Sequence, residues 1–208
     1  MFQLKAPKKW FKMSFSLKGK VIFFATSNIN KFNEARKVFN KYKIAAAMLR
    51  VKKLEIQSNN LEEIAKTSVI EAFKKCNLPI IVEDAGLFVE TLNDFPGPYA
   101  AYVYKTIGNK GLLKLMEQVE NRKAKFRSVI AYYDADLEVP LCFKGEVVGE
   151  IIKEQRKTKN KYGFGFDPIF KPIDCDKTFA EMSITEKNKY SHRARALRKF
   201  AEWYRHQQ

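Results

Sequence analysis

The sequence contains few cysteines, histidines and glycines, the residues on which disulfide frameworks, zinc sites, catalytic triads and glycine-rich loops depend. Its three cysteines, Cys76, Cys142 and Cys175, lie far apart and form no CxxC pair. This pattern argues against a disulfide framework and against structural zinc, and it fits a reducing compartment. Only two histidines occur, and no GxSxG motif is present, so the sequence also argues against a Ser-His-Asp triad.

Long hydrophobic runs are missing as well. No run reaches the roughly 18 apolar residues that a membrane-spanning helix needs, and there is no internal repeat. The chain has 208 residues, of which 46% are hydrophobic, which is enough for one core or for one core with a deep cleft. We therefore predict a cytoplasmic protein with a single domain over residues 21–208, preceded by a basic extension over residues 1–20.

Acidic residues are scarce relative to basic ones. The chain has 39 lysines and arginines against 23 acids, a net charge of +16. Residues 1–20 hold six lysines and no acid, and removing them lowers the net charge from +16 to +10. Such a surface attracts polyanions, and a general bias towards lysine is the alternative explanation. The extension itself is open to interpretation as a targeting tail, a surface-binding tail or a disordered extension.

Apolar periodicity predicts alternating strands and helices in the first part of the chain and a strand-rich second part. Strands are predicted at residues 21–25, 46–54, 80–82, 87–92, 127–134 and 139–152. Helices are predicted from residue 31 to 39 and over 61–76, 112–119 and 191–206, and loops over 93–99 and 163–172. The pattern indicates an α/β protein with a mixed sheet flanked by helices.

Two adjacent carboxylates, Glu83 and Asp84, follow the apolar run of residues 80–82. Acids at the carboxyl end of a buried strand lie where open α/β sheets bind ligands. Because the two charges repel, we expect a cation there, with magnesium the best candidate. Glu55 follows the second predicted strand and would lie near Asp84 if both strands end at the same cleft. The alternatives are a capped turn for Glu83 and Asp84 and a surface position for Glu55.

Residues 26–31 are small and polar and lie where the first strand turns into the first helix. Their sequence is Thr26-Ser27-Asn28-Ile29-Asn30-Lys31. Free backbone N–H groups, the helix dipole and the Lys31 charge would together form a phosphate cradle without the glycines of a P-loop. An ordinary helix N-cap is the alternative.

Glycine and phenylalanine alternate in a predicted loop, Gly163-Phe164-Gly165-Phe166-Asp167-Pro168. A dinucleotide fingerprint is rejected because Pro168 occupies the third glycine position and no strand-then-helix context exists. The pattern favours an aromatic ring that stacks on a flat base, with Asp167 able to form hydrogen bonds. A packed aromatic turn is the alternative.

Two cations lie at an unfavourable place in the final helix. Ser191 is a suitable N-cap, and His192 and Arg193 follow in the first turn, where the helix dipole disfavours positive charge. This placement points to a partner that is anionic or carries a carbonyl group.

Six segments, in this order, resemble those of the inosine triphosphate pyrophosphatase family, also known as the Ham1-like or RdgB-like nucleoside triphosphate pyrophosphatases. The resemblance covers roughly residues 21–204, and it rests on the whole set because each segment alone is weak. The segments are Thr26-Ser27-Asn28-x-x-Lys31, Glu55-Ile56-Gln57, Glu83-Asp84-Ala85-Gly86-Leu87, Phe95-Pro96-Gly97-Pro98-Tyr99, Gly163-Phe164-Gly165-Phe166-Asp167-Pro168-Ile169-Phe170 and Ser191-His192-Arg193-x-Arg195-Ala196.

The resemblance implies hydrolysis of ITP, dITP and XTP to the monophosphate and pyrophosphate. It also implies Mg2+, a homodimer, and an elongated mixed sheet with two lobes and a central cleft. Glu55 and Asp84 would hold the metal ion, and Asp84 and Lys31 would be catalytic. The substrate would contact Thr26, Ser27, Asn28, Asn30, Lys31, Ala85, Phe164, Gly165, Phe166, Asp167, Lys187, His192 and Arg193. Ala85 departs from the pattern, because many relatives have serine there.

Two other classes of function compete with this interpretation. The charge favours a nucleic-acid-binding protein, but no RNP motif, helix-turn-helix pattern or basic-aromatic stripe is visible outside residues 1–20. A nucleotide-binding module that has lost catalysis is the second. Retention of Glu55, Asp84 and Lys31 together favours an enzyme that binds a small-molecule nucleotide and neither a membrane nor nucleic acid.

Overall fold

A computed structural model describes residues 21–51, 56–156 and 163–207 of the chain. Three sequence-based predictions lie outside these ranges: the basic extension over residues 1–20, the end of the second predicted strand, and Glu55.

One mixed sheet runs through the described residues, and helices cover both of its faces. Its strands are β1 (Val21–Ala25), β2 (Ala45–Leu49), β3 (Ile80–Val89), β4 (Pro96–Gly97), β5 (Lys123–Tyr133), β6 (Leu141–Ile151) and β7 (Phe170–Pro172). Their order is β2-β1-β3-β5-β6-β7, with β4 beside β3. The pairs β1–β2 and β1–β3 are parallel, and the other pairs are antiparallel, which confirms the predicted α/β class.

The helices are α1 (Ile29–Lys41), α2 (Leu61–Cys76), α3 (Ala100–Thr106), α4 (Gly108–Leu115), α5 (Ile184–Tyr190) and α6 (His192–Arg205), with 3-10 turns at Glu90–Leu92 and Phe179–Glu181. Side chains of Asn28, Asn60 and Ser191 cap the first turns of α1, α2 and α6. These caps satisfy backbone N–H groups that a helix start otherwise leaves unpaired. None of the helices in the described ranges combines the length and apolar character that crossing a membrane requires.

The structure corrects several predicted element bounds. The two short strands predicted at 80–82 and 87–92 are one strand, β3, which ends in a 3-10 turn from Glu90. The predicted loops are partly strand, at β4 and β7. The helix predicted over 112–119 is α4, which begins at Gly108 and ends at Leu115. The helices α3 and α5 were not predicted.

Apolar side chains form separate clusters in two halves of the structure. In the first half, α1 and α6 pack on one face of the sheet around Ile81, and α2 packs on the other face around Val82. In the second half, Leu87 packs with side chains from α3, α4, β5 and β7. The strand β3 therefore passes from one half to the other between Val82 and Leu87, and this stretch carries Glu83, Asp84 and Ala85.

Candidate active site

The centre of β3 has an open edge. On this side β3 pairs with β1 as far as Ile81, and β4 begins to pair only at Leu87. Between the two pairings, residues 82–86 face no other strand along this edge within the described ranges. On its other side β3 pairs with β5 over its whole length. Glu83 and Asp84 lie inside a strand, so the prediction that they stand at the carboxyl end of a strand and the alternative that they cap a following turn are both wrong.

The two neighbouring carboxylates point to opposite faces of the sheet, because side chains alternate along a strand. Glu83 lies on the face covered by α1 and α6, where its carboxylate contacts Lys31 at 2.7 Å and Arg193 at 2.9 Å and accepts a hydrogen bond from the Ser128 hydroxyl at 2.9 Å. The alternation places Asp84 on the face of α2. Residue Glu83 is thus neutralised by the protein itself.

The protonation of Glu83 follows from these contacts. Burial opposes the charged form, but Arg193 and Lys31 outweigh it and hold the pKa of Glu83 well below its usual range. The carboxylate is therefore ionised near neutral pH, which suits a fixed counter-charge better than a proton acceptor.

The turn before α1 forms the N-cap that was the alternative to a phosphate cradle. The side chain of Asn28 accepts hydrogen bonds from the backbone N–H of Asn30 at 2.9 Å and of Lys31 at 3.2 Å. Thr26 Oγ1 accepts from the N–H of Asn28 at 3.1 Å, and Ser27 is exposed. These three N–H groups are occupied within the turn, which also carries the helix dipole and the Lys31 ammonium.

The loop after residue 162 is held by a buried acid. Asp167 accepts hydrogen bonds from the backbone N–H of Phe164 at 2.9 Å and from Lys187 at 2.6 Å. The Lys187 ammonium lies 4.6 Å from the centre of the Phe164 ring, within the range of a cation–π contact. The structure therefore places Lys187, predicted as a substrate contact, behind the ring that it holds.

A glutamate that was not selected from the sequence, Glu34, connects Lys187 to Arg193. Glu34 of α1 is 1% exposed and pairs with Lys187 at 2.8 Å and with Arg193. Although burial opposes its charge, the two cations lower the pKa of Glu34. The sequence did contain a signal for Glu34, because it is a charged residue on the apolar face of α1, between Phe32 and Val38. Burying a charge without a partner is costly, so a charged residue at such a position indicates buried partners.

The surroundings of His192 and Arg193 explain how two basic residues are tolerated at the start of α6. Arg193 is offset by Glu83 and Glu34. Burial, followed by the repulsion of Arg193, lowers the pKa of His192 well below 6.5, so the imidazole is neutral. Its ring stacks on Phe126 with centroids 4.7 Å apart. Its Nδ1 atom has no hydrogen-bond partner in the part of the chain that the structure describes.

These groups border a cavity of about 300 Å³. Nine of the predicted substrate residues line it: Asn28, Lys31, Ala85, Phe164, Gly165, Phe166, Asp167, His192 and Arg193. Thr26, Ser27, Asn30, Asp84 and Lys187 are not among the lining residues, although Asp84 adjoins Ala85. The lining residues that sequence reasoning missed are Phe126 and four residues of α3, Ala100, Ala101, Tyr104 and Lys105.

Comparison with known proteins finds relatives that match most of this chain. The chain is 48% identical over 184 residues to the dITP/XTP pyrophosphatase of Methanopyrus kandleri, covering 88% of this chain and 96% of that protein. It is 50% identical over 180 residues to the dITP/XTP pyrophosphatase of Thermococcus kodakarensis, covering 86% and 95%.

Solved structures give the same answer for the fold. The Ham1 protein of Coxiella burnetii superposes with a TM-score of 0.78 at 29% identity, covering 90% of this chain and 99% of that one. The Ham1 protein of Staphylococcus aureus gives 0.75 at 29% identity, covering 91% and 100%. The Ham1 family model matches residues 22–203, and the chain therefore belongs to the Ham1 family.

Proposed function

We propose that the protein hydrolyses deaminated purine nucleoside triphosphates, namely ITP, dITP and XTP, to the monophosphate and pyrophosphate. Its similarity to proteins named dITP/XTP pyrophosphatases supports the reaction. The observation that carries the proposal is the cavity, which brings aromatic rings and a neutral histidine together with Lys31 and the centre of β3. Aromatic rings suit a flat base, and cations suit a polyphosphate.

The base would be selected at the His192 end of the cavity. Hypoxanthine and xanthine carry a carbonyl oxygen at C6, where adenine carries an amine. A neutral imidazole has one N–H donor, and the Arg193 guanidinium has only donors, so either residue suits the carbonyl. Adenine would set one donor against another, which disfavours ATP. Guanine shares the carbonyl, so discrimination against GTP has to depend on its 2-amino group.

A metal ion fits the donors next to the cavity. No group of three or more His, Cys, Asp or Glu side chains that could hold a metal ion occurs in the described residues. Mg2+ needs only one or two protein carboxylates, with water and phosphate oxygens as its other ligands. Asp84 would be one of these carboxylates, and Glu55, outside the described ranges, would be the second. When bound, Mg2+ supplies charge neutralisation at the phosphate oxygens.

In the proposed reaction, water attacks a phosphorus atom of the triphosphate in line with the departing pyrophosphate. Asp84 accepts a proton from this water, and Lys31 offsets the charge that develops on the phosphate oxygens. The contact between Lys31 and Glu83 fixes the ammonium at the start of α1. Catalysis of this kind depends on positioning and electrostatics and needs no covalent intermediate. We further propose that the enzyme acts as a cytoplasmic homodimer.

The test is magnesium-dependent release of pyrophosphate from ITP, with ATP as the competing substrate. We expect wild-type protein to prefer ITP and the Asp84→Asn variant to lose turnover while its circular dichroism spectrum and melting temperature stay close to wild type. The matched control is Asp94→Asn, an exposed aspartate that follows the 3-10 turn after β3, which should keep full activity. Normal turnover by Asp84→Asn would disprove the role of Asp84, and salt-sensitive binding of DNA without hydrolysis would favour the nucleic-acid alternative.

A further inference from the structure

The charges around the cavity cancel almost completely. Three cations, Lys31, Lys187 and Arg193, pair with three acids, Glu34, Glu83 and Asp167. Each of these cations contacts at least one carboxylate within 3 Å, so part of its positive charge is already compensated by the protein. These six side chains together have no net charge. A nucleoside triphosphate, which has a charge of about −4 near neutral pH, needs additional positive charge there.

Lys105 is a cation on the cavity wall without a carboxylate partner among the described residues. It lies in the last turn of α3 and is exposed. It lines the cavity together with Ala100, Ala101 and Tyr104 of the same helix. Tyr104 meets the Phe166 ring edge to face, with centroids 5.5 Å apart, and this contact fixes α3 against the loop that carries Phe164. The Lys105 stem thus starts from an anchored helix.

The ordinary explanation of such a residue is a solvated lysine that complements the dipole at a helix end, which contributes about 0.3–1 kcal/mol. That explanation accounts for a cation in the last turn of α3. It does not account for the position of this cation on the wall of a cavity whose other lining cations, Lys31 and Arg193, are already paired.

We infer that Lys105 binds the polyphosphate of the nucleotide and so sets the affinity for triphosphates over uncharged nucleosides. The inference rests on the proposed function and adds a binding residue to the proposed site. Because the side chain is exposed, the attraction is screened by salt and moderate in size. It acts on the ground state and the transition state alike, so its loss raises KM and leaves kcat nearly unchanged.

The test compares Lys105→Gln with Lys110→Gln, which removes the same charge from an exposed position on α4 outside the cavity lining. For Lys105→Gln we expect KM for ITP to rise about five-fold at low ionic strength, with kcat within two-fold of wild type. The increase should shrink at high salt, and Lys105→Arg should reverse most of it. A KM that rises equally in both Gln variants would overturn the inference, since it would show general attraction by surface charge.

Direct binding separates this inference from the proposed function. Calorimetric titration of ITP with a chelator present needs no turnover, and inosine is the ligand without phosphates. We expect Lys105→Gln to weaken ITP binding about five-fold and to leave inosine binding unchanged. Equal weakening of both ligands, or of neither, would overturn the role of Lys105. Failure of wild-type protein to release pyrophosphate would reject the proposed function, while the titration would still decide the role of Lys105.

Discussion

Single buried charges do most to define the cavity. Glu34 contacts Lys187, which lies against the Phe164 ring, and Arg193, which follows His192, so one carboxylate on α1 holds cations of both α5 and α6 in place. Removing one partner from a buried ion pair typically costs about 3–5 kcal/mol, because the other charge stays buried and unpaired. The ion pairs of Glu34 therefore constrain the geometry of the cavity. We expect the paired residues to tolerate substitution poorly, because a substitution removes both a contact and a compensating charge.

The buried His192 makes stability depend on pH. Its pKa is lowered in the folded protein by burial and by Arg193, Lys187 and Lys31, against an opposing effect of Glu83. The unfolded chain therefore binds a proton that the folded protein refuses, and the free energy of unfolding falls as pH drops below about 6.5. We expect a slope of up to about 1.4 kcal/mol per pH unit between pH 6.5 and 5, measured by urea denaturation.

The variant His192→Gln should remove this slope, whatever its effect on overall stability. His206→Gln is the matched control, since His206 is exposed at the end of α6, and it should keep the wild-type slope. The carboxylates Glu34 and Glu83 have lowered pKa values, so their contribution is lost only at more acidic pH. A slope that persists in His192→Gln would show that another group titrates.

At the scale of elements, the start of α6 depends on a glycine in the sheet. A Cβ atom built on Gly145 of β6 would overlap the carbonyl oxygen of His192 and lie 2.6 Å from the backbone nitrogen of Ala196. The first turn of α6 therefore lies directly on the strand. Since that turn carries both His192 and Arg193, the approach of helix to strand fixes the depth at which these side chains enter the cavity.

We expect Gly145→Ala to push this turn outward and to lower the free energy of unfolding by about 1–3 kcal/mol, as overpacking does. The KM for ITP should rise at the same time, because the residues that we propose contact the base move together with the helix. Urea denaturation and steady-state kinetics measure the two effects. Val148→Ala, on the same strand but more than a third exposed, should leave KM unchanged. An unchanged KM in Gly145→Ala would contradict the expected link between the position of this turn and the cavity.

Local patterns predicted those elements whose signals are local. The bounds of β1 and α2 match the prediction because an apolar run or a helical stripe ends at clear polar caps, such as Asn60. The course of β3 through Glu83 and Asp84 was not predictable in this way, since it is imposed by pairing with β5 some 45 residues later. Two charged residues interrupt the apolar run, and only the partner strand keeps them extended.

The same distinction applies to the site. Residues such as Lys31, Phe164 and His192 belong to recognisable segments and were selected from the sequence. Glu34 and Lys105 were not, because their significance arises from distant partners. Glu34 matters through Lys187 and Arg193, more than 150 positions away, and Lys105 matters through a wall that exists only after α3 packs beside Phe166.

At the scale of the whole molecule, the excess of positive charge divides between the extension and the domain. The Ham1 family match begins at residue 22, and residues 1–20 contribute six of the sixteen net positive charges. We expect a variant that lacks residues 2–20 to keep the melting temperature of the full chain and its turnover of ITP within two-fold.

The same deletion variant should elute from a cation exchanger at lower salt, because fewer charges bind the matrix. Full-length protein measured in parallel is the control. Loss of folding or of turnover would show that the domain begins before residue 21. Unchanged elution would show that the lysines of the extension do not bind the matrix.

Three strands, β3, β5 and β6, each run through both halves of the structure and are hydrogen-bonded to one another along most of their length. A rotation of one half against the other would have to bend all three strands together. Such a bend meets more resistance than a rotation about a flexible connecting segment. The backbone that carries Glu83 and Asp84 therefore keeps its position whether or not a ligand occupies the cavity.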